Sequence, residues 1–131
     1  MRALALDYGS ARCGVALSDP TGTIATPLDV VEQPGTKRGM ARLAAVVEEH
    51  EADVVVVGLP LALAGHDTEQ TRETRAFAER LARRIAPVPV ELHDERLTTR
   101  MAQRFGEGAR AAEDSRAAAH LLEGYLAARR A

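Results

Sequence analysis

The chain has 131 residues, 46% of them hydrophobic and 27% charged, the balance of a folded globular protein rather than of a disordered segment. One domain over residues 1–131 is expected, large enough to bury roughly two-thirds of its unfolded surface without a disulfide or structural metal. A formal charge of -2 and a pI near 6.1 exclude a global electrostatic pull on nucleic acid or an acidic membrane, so either partner would have to be met by a local patch.

Arg2 to Asp7 and Arg12 to Ser18 read as short apolar strands, and the residues between them are too few for a crossover helix, so the two should pair antiparallel. Cys13, the only cysteine, lies within the second of these runs. It cannot form an internal disulfide; core filling in a reducing compartment is expected. The N-terminus lacks the features of a leader peptide and no apolar run is long enough to span a bilayer, which predicts a cytoplasmic protein with no membrane partner.

After the turn Asp19-Pro20-Thr21-Gly22, Thr23 to Val31 can supply a third strand, which Pro27 confines to the sheet edge or ends early. Gly35 to Gly39 breaks this pattern. Met40, Leu43, Ala44 and Val47 then recur at helical steps, Asp53 to Gly58 forms a continuous apolar strand, and Thr74, Phe77, Ala78, Leu81 and Ile85 mark a second helix. Val88 to Leu92 is the next strand, read as buried. A short helix from about Leu97 to Phe105, a loop through Gly106 and Gly108, and a last helix from about Glu113 to Arg129 complete the chain. The order predicts an α/β fold with a mixed sheet of about five strands, three antiparallel and then parallel, flanked by helices.

Three acidic positions stand out. Asp7 ends the first strand beside Tyr8-Gly9, where it either caps a turn or lines a site that a metal or phosphate can approach. At His93-Asp94-Glu95-Arg96 a strand runs into consecutive titratable residues. Asp94 fits a helix cap there and Glu95 a solvated ion pair or a hard oxygen ligand. His93 reads as a half-buried strand residue, since no cysteine or histidine sits at zinc-ligand spacing around it.

Asp114 is in helical phase with Ala117, Ala118, Leu121, Leu122, Tyr125 and Leu126. It is thus either a first-turn acid or a carboxylate turned toward the core. Brought to one edge, three carboxylates would repel by about 4 kcal/mol per pair at 4 Å and a dielectric near 20. A divalent cation would remove that penalty.

Arg12, Arg96, Arg100 and Arg104 lie near the predicted acidic edge and are candidates for phosphate contacts, whereas Arg72, Arg75, Glu79 and Arg83 read as a solvated helix face. The aromatics, Tyr8, Phe77, Phe105 and Tyr125, are too few for a base-stacking platform.

Four stretches, LDYGSARCGVALSD, VVGLPL with the helix carrying Gln70, Arg75 and Phe77-Ala78, LHDERLTT, and DSRAAAHLLEGYL, together resemble the YqgF family, also called RuvX. These are RNase H-like nucleases related to the RuvC Holliday junction resolvase. The resemblance implies an RNase H-like fold and a Mg2+- or Mn2+-dependent endonuclease. Asp7, Glu95 and Asp114 would stand in the places of the family's acidic triad, with Asp94 the alternative to Glu95. Family members are linked to maturation of the 5′ end of precursor 16S ribosomal RNA, with resolution of four-way DNA junctions as the alternative. The segment Phe105 to Glu113 departs from the pattern, being short and carrying only Arg110 as a base. A weaker grip on the phosphate backbone, or a different substrate, would follow; a homodimer would place two basic edges on one duplex. Two further readings are a catalytically silent nucleic-acid-binding module and a phosphotransferase of the actin and sugar-kinase fold. The second closes two such domains over its nucleotide, and this chain supplies one.

Overall fold

The computed structural model describes residues 1–97 and 110–130. Its sheet has five strands in the order β3-β2-β1-β4-β5: β1 (Ala3–Tyr8), β2 (Arg12–Ser18), β3 (Ala25–Glu32), β4 (Val54–Leu59) and β5 (Val90–Asp94). The first three strands form the expected antiparallel meander, and β4 and β5 add parallel to β1. Pro27 lies in edge strand β3, and the pairing with β2 shifts register between Val15 and Ala16, opposite the proline. A residue without an N–H is tolerated where the ladder is already irregular.

Helix α1 (Lys37–Glu49) starts earlier than its apolar periodicity suggests, because the Thr36 side chain accepts from the Gly39 N–H and caps it. Helix α2 (Glu69–Ile85) opens on a reciprocal Thr68–Thr71 capping box, in which Thr71 also donates to the Pro60 carbonyl at the end of β4. Helix α3 (Arg110–Arg130) begins before the expected Glu113, and the strong helix formers Ala111 and Ala112 explain the extension. Asp114 is therefore past the first turn and is not an N-cap.

The strand expected at Val88 to Leu92 lies two residues later. The Val88 N–H bonds to the Ile85 carbonyl and Pro89 has no N–H to give, so pairing begins at Val90. This strand is also not buried: it forms the other sheet edge, and Leu92 is 40% exposed. It passes directly into a single 3-10 turn, Glu95–Leu97. The predicted helix to Phe105, with Arg100 and Arg104, and the loop through Gly106 and Gly108 lie outside the described residues.

Strand alternation divides the interior in two. Leu4, Leu6, Cys13, Val15, Val55 and Val57 pack against α1 and α2, while Ala3, Ala5, Ala16, Val54 and Val56 pack against α3. Cys13 fills the first core as expected. Among the described residues no helix is long and apolar enough to cross a membrane.

Candidate active site

The alternation that puts Ala3 and Ala5 under α3 puts Asp7 on the same face, one residue before β1 ends. Gly14 is its register partner in β2; on its other side Gly58 follows Val57, the partner of Leu6 in β4. Asp7 is thus flanked by two residues without side chains. A Cβ on Gly14 would lie 2.0 Å from the Asp114 carbonyl oxygen, and one on Gly58 would lie 2.6 Å from Glu95 Oε1. Neither separation is sterically possible. The two glycines are what allow α3 to cross β2 at Asp114 and the Glu95 side chain to fold back over β4.

The Asp7 and Glu95 carboxyls lie within hydrogen-bonding reach of each other, and two carboxyls can share a hydrogen bond only when one of them is protonated. Burial is the main cause that pushes the Glu95 carboxyl up to about 8, and the Asp7 charge adds to it. Burial also raises Asp7; the hydrogen bond from Glu95 opposes that rise and the charge of Asp114 reinforces it. Like charges in a desolvated site favour the neutral acid. Asp7 therefore does not cap the Tyr8-Gly9 turn, which is closed instead by the Gly9 N–H donating to the Arg12 carbonyl at 2.9 Å.

Asp114 faces this pair from α3, but its carboxylate is engaged: Arg12 Nε donates to Oδ2 at 2.8 Å, with both side chains 28% exposed. Among the described residues no three acidic, histidine or cysteine side chains stand together closely enough to hold one metal ion. The donor chemistry nevertheless fits a hard cation, since Asp7 and Glu95 are half-buried carboxyls with only oxygen to offer and an electrostatic conflict that a cation would relieve.

The neighbouring acid is differently occupied. Asp94 accepts from Arg96 N at 2.9 Å and Nη2 at 2.6 Å, and the guanidinium holds its carboxyl below the usual range. Arg96 also donates from Nη1 to the Leu63 carbonyl at 3.2 Å, so this candidate phosphate contact braces the turn carrying Glu95. Arg75 likewise pairs with Asp67, while Arg72, Glu79 and Arg83 are exposed on α2. His93 is half-buried with its ring edge-on to Tyr125, centroids 6.0 Å apart, and burial lowers its pKa. Phe77 and Tyr125 are buried and Tyr8 stacks on Phe77, so among the described residues no stacking platform forms.

Gly14 is the position that motif reasoning passed over, although a glycine inside an apolar strand is a signal of close backbone approach. Gly58, at the end of its own apolar run, is a glycine of the same kind. It lies within β4, and Glu95 occupies the space its missing side chain leaves.

Residues 1–128 match the family described as "RuvX: Holliday junction resolvase". The chain belongs to the RuvX family. It is 44% identical over 140 residues to a Mycolicibacterium smegmatis protein named "Putative pre-16S rRNA nuclease", covering 99% of this chain and 82% of that one. A Thermobifida fusca protein of the same name is 44% identical over 138 residues, covering 94% of this chain and 85% of the relative. Among solved structures, Thermus thermophilus RuvC in complex with a Holliday junction substrate superposes with a TM-score of 0.64 at 18% identity, covering 99% of this chain and 96% of that one. The RuvX sheet described above is therefore RNase H-like in fold, as the sequence motifs imply.

Proposed function

We propose that the protein is a divalent-metal-dependent endonuclease that hydrolyses phosphodiester bonds, processing the 5′ end of precursor 16S ribosomal RNA. The observation that carries this reading is the half-buried Asp7–Glu95 pair, two carboxyls held together where neither is comfortable as an anion. The name shared by its 44%-identical relatives supports the substrate.

In this account Asp7, Glu95 and Asp114 would hold Mg2+ or Mn2+. A cation held there would supply a lowered pKa for a bound water and charge stabilisation at the scissile phosphodiester. Asp7, fixed in the sheet between two glycines, sets the position of the centre. Glu95, braced by the Asp94–Arg96 contacts on the next residues, orients the attacking water. Asp114 completes the set from α3. Arg12 contacts the phosphate backbone at the rim; Arg100 and Arg104, outside the described residues, are further candidates for phosphate contact.

The test is cleavage of a labelled precursor 16S 5′ leader beside a labelled four-way DNA junction, with Mn2+, Mg2+ or chelator. Metal-dependent cutting of the leader is expected. Preferential cutting of the junction would move the function to branched DNA, the activity in the family's description. Binding without any cutting would instead favour the silent module.

A further inference from the structure

The Arg12–Asp114 ion pair has no role in the static acidic site, and its position suggests one. Arg12 begins β2 two residues before Gly14, on the same sheet face, and presents Nε to Asp114 Oδ2 at 2.8 Å. The two other acids are already joined to each other. The oxygen that Asp114 offers to Arg12 is thus unavailable to a cation shared with Asp7.

We infer that Arg12 is a positioning residue: it withholds Asp114 from the Asp7–Glu95 pair in the free protein, and releases it when a phosphate of the nucleic acid takes its guanidinium. The inference rests on the proposed reading of the three acids as the metal site. A guanidinium binds a phosphate with the same forked geometry as a carboxylate, so one partner can replace the other. Both side chains are partly solvated, which keeps the pair weak enough to exchange. The exchange needs no helix movement. The α3 backbone is held against β2 at Gly14, where its Asp114 carbonyl already fills the space of a missing Cβ, so only two side chains have to change rotamer. Arrival of the substrate then completes the carboxylate set, and an incomplete site is left when no phosphate is present.

The experiment is a calorimetric Mn2+ titration of the full chain without nucleic acid, using the native protein, Arg12→Gln, Asp114→Asn, the double variant and Asp7→Asn. Arg12→Gln should bind Mn2+ about five- to tenfold more tightly, the scale of one charged, partly solvated hydrogen bond. The gain should vanish in the Asp114→Asn background. The same Arg12→Gln variant should bind a labelled precursor 16S leader more weakly in chelator. A brace that merely stabilised the fold would not shift these two affinities in opposite directions. Equal or weaker Mn2+ binding by Arg12→Gln would overturn the role, and so would a gain that persists with Asp114→Asn, which would mark simple through-space repulsion. Should Arg12→Gln fail to fold, Arg12→Lys decides in its place, with a smaller gain of the same sign expected. A native titration that Asp7→Asn leaves unchanged would instead overturn the metal reading on which the role rests.

Discussion

On the α1 and α2 side of the sheet the strands contribute Leu4, Leu6, Val15, Val31, Val55 and Val57, and the helices answer with Leu43, Val46, Phe77 and Leu81. On the α3 side β1 and β2 contribute the small residues Ala3, Ala5, Gly14 and Ala16, and β4 contributes Val54 and Val56 followed by Gly58 at its end. Large interlocking side chains supply buried area, and with it stability. Small ones let a helix and a carboxylate come close to the strand backbone, where the acids then stand over the ends of the central strands. One sheet thus separates the two tasks by face, and substitutions should separate them too.

The largest effect expected is on the small-residue face. Glu95→Gln should lower metal-dependent cleavage by roughly a thousandfold, equivalent to about 4 kcal/mol of transition-state stabilisation. Its thermal midpoint should hold or rise, because an acid held well above its ordinary range has been removed. A steady-state assay with a melting curve checks both, and a stable variant with native turnover would contradict the division.

Leu81→Ala on the opposite face should do the reverse. Leu81 is fully buried in α2, so its truncation should cost about 2–5 kcal/mol in urea unfolding. Activity per folded molecule should stay near native.

Gly14→Ala sharpens the comparison, since it adds a single methyl where Asp114 crosses. Overpacking should cost about 1–3 kcal/mol, and cleavage should fall as well, because α3 must move outward and take Asp114 with it. Native stability for this variant would show that the close crossing of α3 is not needed.

The smallest effect is one of pH. The folded Glu95 value of about 8 lies above its ordinary 4.5, and Asp7 is also raised. The folded state therefore holds protons that the unfolded chain releases, so the stability these acids contribute is full below about 4.5 and declines as pH rises toward 8. Melting of the metal-free protein should show this loss, and Mn2+ should reverse it most strongly at the alkaline end. A melting midpoint that Mn2+ leaves unchanged at pH 8 would count against the site.

The elements that were legible in the sequence are those whose signal is local. The alternation and short loop of residues 2–18 specify an antiparallel pair, Pro27 marks an edge, and the spacing of Leu121, Leu122, Tyr125 and Leu126 marks the buried face of α3. What could not be read depends on partners distant in the chain. The exposure of β5 follows from its place at the end of the strand order, not from its residues. The start of α3 and the shift of β5 turned on single N–H groups and on alanine propensity.

The site divides along the same line. Asp7, Glu95 and Asp114 were visible as acids at element ends, and the RuvX motifs singled them out. The commitment of Asp94 to Arg96, and of Asp114 to Arg12, required the side chains themselves. So did the sharing of a hydrogen bond by Asp7 and Glu95. Gly14 was written in the sequence as an anomaly inside a strand, but its meaning lies in a helix about a hundred residues away.

The proposed cleaving centre is the set of carboxyls on the α3 face. Its most direct test is Mn2+-dependent cleavage of the precursor 16S leader by Asp7→Asn and native protein, matched for folded fraction by circular dichroism. A folded Asp7→Asn protein that still binds the leader and cuts it no faster than the chelator control is the result predicted. Cleavage at the native rate by that folded variant would contradict the claim.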